Sequence, residues 1–151
     1  MPSTPRTVAL NALFLSPGES SGTETYLRGL VPALVAEVPQ TDFTLVTTRR
    51  GADALREEGW DSSMEIVRLP ADEGERVKRT VAEQVLLPAL AVRRRFDVVH
   101  SLASVAPVRV PGKAVISLHD ATFFRLQTFN RITTLGMRQL VSRAAKHADE
   151  L

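Results

Sequence analysis

Thr7–Leu15, TVALNALFL, closed by Ser16-Pro17-Gly18 and followed over 18–39 by GESSGTETYLRGLVPALVAEVP, is the stretch that decides the fold. The first part is a nearly continuous apolar run, the pattern of a central strand buried on both faces, and Asn11 interrupts it. In the second, Tyr26, Leu27, Leu30, Val31, Leu34, Val35 and Val38 recur at three- and four-residue spacings, which puts one apolar side on a helix. Ser20, Ser21 or Thr23 can cap it, and Pro32 predicts a kink or an end to its first part, at about 3 kcal/mol if nothing relieves it. A buried strand, a glycine-bearing turn and an amphipathic helix make the first half of a βαβ unit.

The same alternation continues along the chain. Asp42–Thr48 (DFTLVTT) reads as a strand, Ala52–Glu58 as a short helix, and Met64–Leu69 (MEIVRL) as a strand ending at Pro70. Glu75–Arg95 is helical, carrying Val77, Val81, Val85 and Leu86, with Pro88 marking a break or the first turn of a second helix. Asp97–Ser101 and Ala114–Leu118 are further strands, and Met137, Leu140, Val141, Ala144 and Ala148 lie on a last amphipathic helix. Strands that are apolar rather than strictly alternating, interleaved with helices, predict a doubly wound α/β domain with a mainly parallel sheet and helices on both faces. Ligands of such sheets bind beyond the carboxyl ends of the strands. With 151 residues and no internal repeat or linker, the reading is one domain over 1–151, its last helix running into Asp149-Glu150-Leu151 as though another strand were to follow.

Composition excludes several classes. Hydrophobic residues at 44% and charged residues at 24% describe a globular chain. The absence of cysteine excludes a disulfide scaffold, thiolate-bound zinc, an iron–sulfur cluster and a cysteine nucleophile, and fits a reducing compartment. Nineteen basic against seventeen acidic residues leave +2, which demands no polyanion. No apolar run approaches the ~20 residues that span a bilayer, and Met1–Arg6 is not the start of a signal peptide, so the expectation is a soluble, cytoplasmic protein. Arg49-Arg50, Arg76–Arg79 and Arg93–Arg95 can meet an anionic membrane surface or nucleic acid, although such runs are more often a solvated helix face.

Two places at strand ends can carry chemistry. The loop Ser16–Thr23 opens the first helix, where glycine lets backbone approach a ligand and free N–H groups suit phosphate; the plain alternative is a βα turn. Its glycines, Gly18 and Gly22, match neither the dinucleotide GxGxxG nor a P-loop, which counts against an NAD-dependent oxidoreductase. The second place is His119-Asp120, where imidazole can bond a sugar hydroxyl or phosphate oxygen; alternatively Asp120 caps its own loop. His100, beside Ser101, is a further cleft candidate or a buried histidine satisfied by backbone, and His147 reads as a surface residue. Phe123, Phe124 and Phe129 line an acceptor pocket or pack their loop on the sheet. No set of residues has metal-ligand spacing, and no metal is expected.

Together these pieces resemble the amino-terminal domain of the GT-B glycosyltransferases of family 4. The resemblance rests on Ser21-Gly22-Thr23-Glu24-Thr25-Tyr26-Leu27, on Ala82-Glu83-Gln84-Val85-Leu86-Leu87-Pro88 with Phe96-Asp97-Val98-Val99-His100-Ser101, on Val115–Phe123 around His119-Asp120, and on Arg143–Asp149. It covers essentially the whole chain. Ser21 stands where the family usually has a glycine. The resemblance implies a retaining, metal-independent transfer of a sugar from a nucleotide-diphosphate donor to a glycan, lipid or small-molecule acceptor, with no nucleic-acid partner and no cofactor. It implies that Gly22 and Thr23 approach the donor diphosphate, that His119 and Asp120 are catalytic, and that His100, Ser101 and Phe123 line the acceptor cleft. The family's carboxyl-terminal donor-binding domain, with its paired glutamates E-x7-E, is absent from these residues. The chain is therefore expected to supply the acceptor-side half, inactive alone, in the cytoplasm with a peripheral contact at the inner membrane face allowed. The competing expectation is a non-catalytic Rossmann-like module that binds a nucleotide or partner.

Overall fold

The structure, a computed structural model, describes residues 7–19, 22–71, 76–119 and 131–149, with backbone alone for 76 and 131–138. Five strands form one all-parallel sheet: β1 (Thr7–Ala12), β2 (Asp42–Thr47), β3 (Glu65–Arg68), β4 (Val98–Ser101) and β5 (Lys113–Ile116), in the order β3-β2-β1-β4-β5. The helices are α1 (Gly22–Glu37), α2 (Arg49–Glu57), α3 (Arg76–Val81), α4 (Leu87–Arg94) and α5 (Arg131–His147). This is the doubly wound, Rossmann-like α/β fold that the alternation predicts. The chain moves outward from β1 to β3, then crosses back to β4, so the strand order reverses between β1 and β4. That switch point is where such sheets open a crevice.

Side-chain alternation divides the core cleanly. Val8, Leu10 and Ala12 of β1, with Phe43 and Leu45 of β2, pack against Leu27 and Val31 of α1 and Ala52 and Leu55 of α2. Ala9 and Val46 point the other way, onto Leu87 and Ala91 of α4 and Phe96 and Val99. Both faces of the central strand are thus covered, which is why its sequence is mostly apolar, with Asn11 as the buried exception.

Three local expectations change. α1 runs unbroken through Pro32: the proline is exposed, so the carbonyl it leaves unpaired has access to water, while Leu27 and Val31 anchor the helix to the sheet. α2 begins at Arg49 rather than Ala52, because the Thr48 side chain caps it by accepting from the Gly51 N–H at 3.1 Å. The long helical segment is interrupted by a π-helical turn, Ala82–Leu86, in which the Leu87 N–H bonds to the Ala82 carbonyl five residues back. Pro88 follows in the first turn of α4. An α-helix would require an N–H there for the Gln84 carbonyl and would press that carbonyl on the proline ring; the wider turn relieves both. The extra residue also turns Ala82 and Glu83 inward and leaves Val77, Val81 and Val85 exposed.

The opposite end of the sheet is tied by Thr7 and Asp97: Asp97 Oδ2 accepts from the Thr7 N–H at 3.0 Å, and the Asp97 N–H donates to the Thr7 carbonyl at 3.0 Å. Gly112, at φ +78, brings β5 against this knot, and a Cβ on it would stand 2.6 Å from the Asp97 carbonyl oxygen and 2.7 Å from that of Phe96. Gly112→Ala is expected to destabilise the fold by about 2 kcal/mol or more, through φ strain and backbone overlap together, as a lowered urea midpoint.

Candidate functional site

At the carboxyl end of the sheet, on the α1 side, four side chains converge. His100 projects from β4 and its Nε2 lies 2.9 Å from Ser117 Oγ, just past β5. Ser117 Oγ is also 3.0 Å from the Tyr26 hydroxyl on α1. The Tyr26 ring meets the His119 ring edge-on, centroids 4.4 Å apart. These residues, with Val115, Ile116 and Leu118, line an open cavity of about 430 Å³.

Proton bookkeeping in the cluster is constrained. Burial holds the His100 imidazole below its ordinary range, so it is neutral at pH 7, and Tyr26, Ser117 and His100 form one hydrogen-bonded chain that can be ordered in either direction. His119 Nε2 lies 2.7 Å from the Leu102 carbonyl, which can only accept, so Nε2 carries the proton and Nδ1 is the nitrogen that remains for a ligand. His100 is thus satisfied by a hydroxyl rather than by backbone.

The other predicted residues divide. Gly22 is the exposed first residue of α1 and Thr23 follows, one turn before Tyr26. A Cβ on Gly22 would meet nothing within 4 Å, so no internal contact requires glycine there. Ser101, expected beside His100, is buried on the opposite face of the sheet, because adjacent strand residues point to opposite sides. Asp120 and Phe123 lie outside the described residues, as do Phe124 and Phe129. His147 is exposed on α5 as expected, and Arg94 pairs with Glu65 of β3 at 2.9 and 3.1 Å. Among the described residues, no helix is long and apolar enough to cross a membrane.

Spacing alone missed a second polar cluster, at the switch point itself. Asn11 and Ser101 are paired neighbours across β1 and β4, and Asn11 Nδ2 donates to Ser101 Oγ at 3.1 Å and to Glu83 Oε1 at 2.8 Å. Next to Glu83, Gln84 clamps the segment between β4 and β5: its Nε2 donates to the Ala106 carbonyl and its Oε1 accepts from the Val108 N–H, both at 2.9 Å. The signals were the polar break in the first strand and a glutamate beside an apolar helix seam.

No protein-family model matches the chain, and no curated protein is significantly similar to it.

The lowered His100 value sets a direction for stability. The unfolded chain takes up this proton near pH 6.5, the folded chain only at lower pH, so the contribution is fully present above 6.5 and is lost as pH falls toward the folded value. His100→Gln, which keeps a polar partner for Ser117, is expected to lose less stability than the wild type between pH 7 and 5, measured as urea midpoints.

Proposed function

We propose that the chain is the acceptor-side half of a retaining glycosyltransferase that moves a sugar from a nucleotide-diphosphate donor to a glycan, lipid or small-molecule acceptor, with a donor-binding domain as its partner. The setting is the cytoplasm or the inner face of its membrane. One observation carries the reading: two of the segments that resemble family 4, represented by Gly22–Leu27 and Ser117–His119, meet through Tyr26, which bonds Ser117 and packs on His119.

The chemistry suits that meeting. A departing nucleoside diphosphate gathers negative charge as the sugar becomes oxocarbenium-like. N–H groups at the start of α1 and a histidine beside them offset that charge. Gly22 and Thr23 supply the backbone approach. His119 acts on the sugar or phosphate through Nδ1, and donating from that atom requires the ring to carry its second proton while Nε2 stays on Leu102. Asp120 acts beside it, and His100 and Phe123 border the acceptor.

The test is turnover by the full-length gene product on a panel of nucleotide sugars, with product mass as the readout. His119→Ala is expected to lower turnover about 100-fold or more while lowering the melting temperature only slightly, since it loses only the Leu102 bond and the Tyr26 ring contact. Gly22→Ala is expected to weaken donor use at unchanged stability, because the added methyl meets nothing inside the protein. Nucleotide sugars left unconsumed by folded full-length protein would favour the non-catalytic module; unchanged turnover in His119→Ala would remove the role given to that residue.

A further inference from the structure

Glu83 is almost fully buried and faces an amide rather than a cation. It sits in the π turn, and its Oε1 accepts from Asn11 Nδ2, the same nitrogen that reaches Ser101. The other amide atom, Asn11 Oδ1, accepts from the Leu13 N–H at 3.2 Å. One pair of side chains therefore joins the π turn to the ends of β1 and β4 and to the loop that leads toward Gly22. Leu13, Ala71 and Ala82, with Leu69 and Leu86, wall it off as a small apolar cluster.

Among the described residues, the surroundings contain little that could stabilise a charge. From β1 and β4 the groups reached are Asn11 and Ser101, neither of which titrates near neutrality. The loop and the segment after β3 contribute Leu13, Leu69 and Ala71. Arg79, four residues earlier, is the charged neighbour among the described residues and favours the ionised form, as does Asn11. His100 faces the other side of the sheet. Burial outweighs both and pushes the Glu83 carboxyl up to about 7.

We propose that Glu83 is a proton-controlled latch: holding its proton, it keeps the π turn docked on Asn11, and on losing it the turn moves the carboxylate out to water and frees the Leu13 loop. A π turn suits this task, since Pro88 bars the plain helix and the wide bond pattern is held in place by the docking of Glu83 on Asn11. The direction follows from linkage. In the open form the carboxyl titrates near its ordinary 4.5, in the closed form near 7. The latch is fully closed below 4.5. Opening then grows by at most about tenfold per pH unit as pH rises through 7, and levels off above.

Amide hydrogen exchange on the whole chain between pH 5 and 7.5, corrected for intrinsic exchange, tests this. Protection of Leu13 and of residues 83–87 is expected to fall by about two orders of magnitude across that range, while Leu55 in α2 stays level. Glu83→Gln keeps an acceptor for Asn11 and cannot ionise; its protection should be flat, and above the wild type at pH 7.5. The carboxyl ¹³C shift of Glu83, followed in the unmodified protein, should titrate with a midpoint near 7. Level protection in the wild type, an equal fall in Glu83→Gln, an equal fall at Leu55 or a carboxyl midpoint near 4.5 would each overturn the latch.

Discussion

A primary amide buried in the middle of a parallel sheet must find partners, and the carboxyl end of this molecule is arranged around that requirement. Asn11 sits on the central strand, 2% exposed, between the apolar Leu10 and Ala12. An unsatisfied amide there costs a few kcal/mol, a large share of a small domain's stability. Its three hydrogen bonds go to Leu13, Ser101 and Glu83, so one side chain sets the exit of β1, its pairing with β4 and the seat of the π turn. Removing Asn11 would leave Glu83 as a carboxyl in an apolar pocket.

The two faces of the sheet end in different chemistry. Behind the sheet, Asn11, Ser101 and Glu83 are sealed from water. In front, Tyr26, Ser117 and His100 form a chain that borders an open cavity, and His119 stands at its rim. The backbone joins the two faces: the Leu102 N–H donates to the Asn11 carbonyl at 3.2 Å, while the Leu102 carbonyl receives His119. A disturbance behind the sheet has a short, hydrogen-bonded route to the ring in front of it.

Much of this architecture is legible in the chain. Burial on both faces leaves strands that are mainly apolar rather than strictly alternating, so β1 and β2 declare a parallel sheet without any knowledge of contacts. What stayed hidden depends on distant partners. The start of α2 is hidden because Arg49-Arg50-Gly51 has no apolar residue and owes its helix to the Thr48 cap. Val77, Val81 and Val85 have helical spacing, but the turn that faces them outward follows from Pro88 and from the pull of Asn11 on Glu83. Asn11 is visible as a break in a strand, whereas its partner lies 72 residues away. Ser101 could have been separated from His100 by strand alternation alone. The meeting of Tyr26 with His119 has no sequence signature beyond the resemblance that named both segments.

The position of β1 has a consequence for the chain during its synthesis. One edge of β1 is filled by β2 soon after both emerge, but the other waits for β4, whose hydrogen-bonded side chains lie 90 residues later. At roughly 5–20 residues per second the unpaired edge stays open for about 5–20 s. It is an apolar template for a neighbouring nascent chain during that time. The most buried strand of the finished protein is therefore the one most dependent on protection while it is being made.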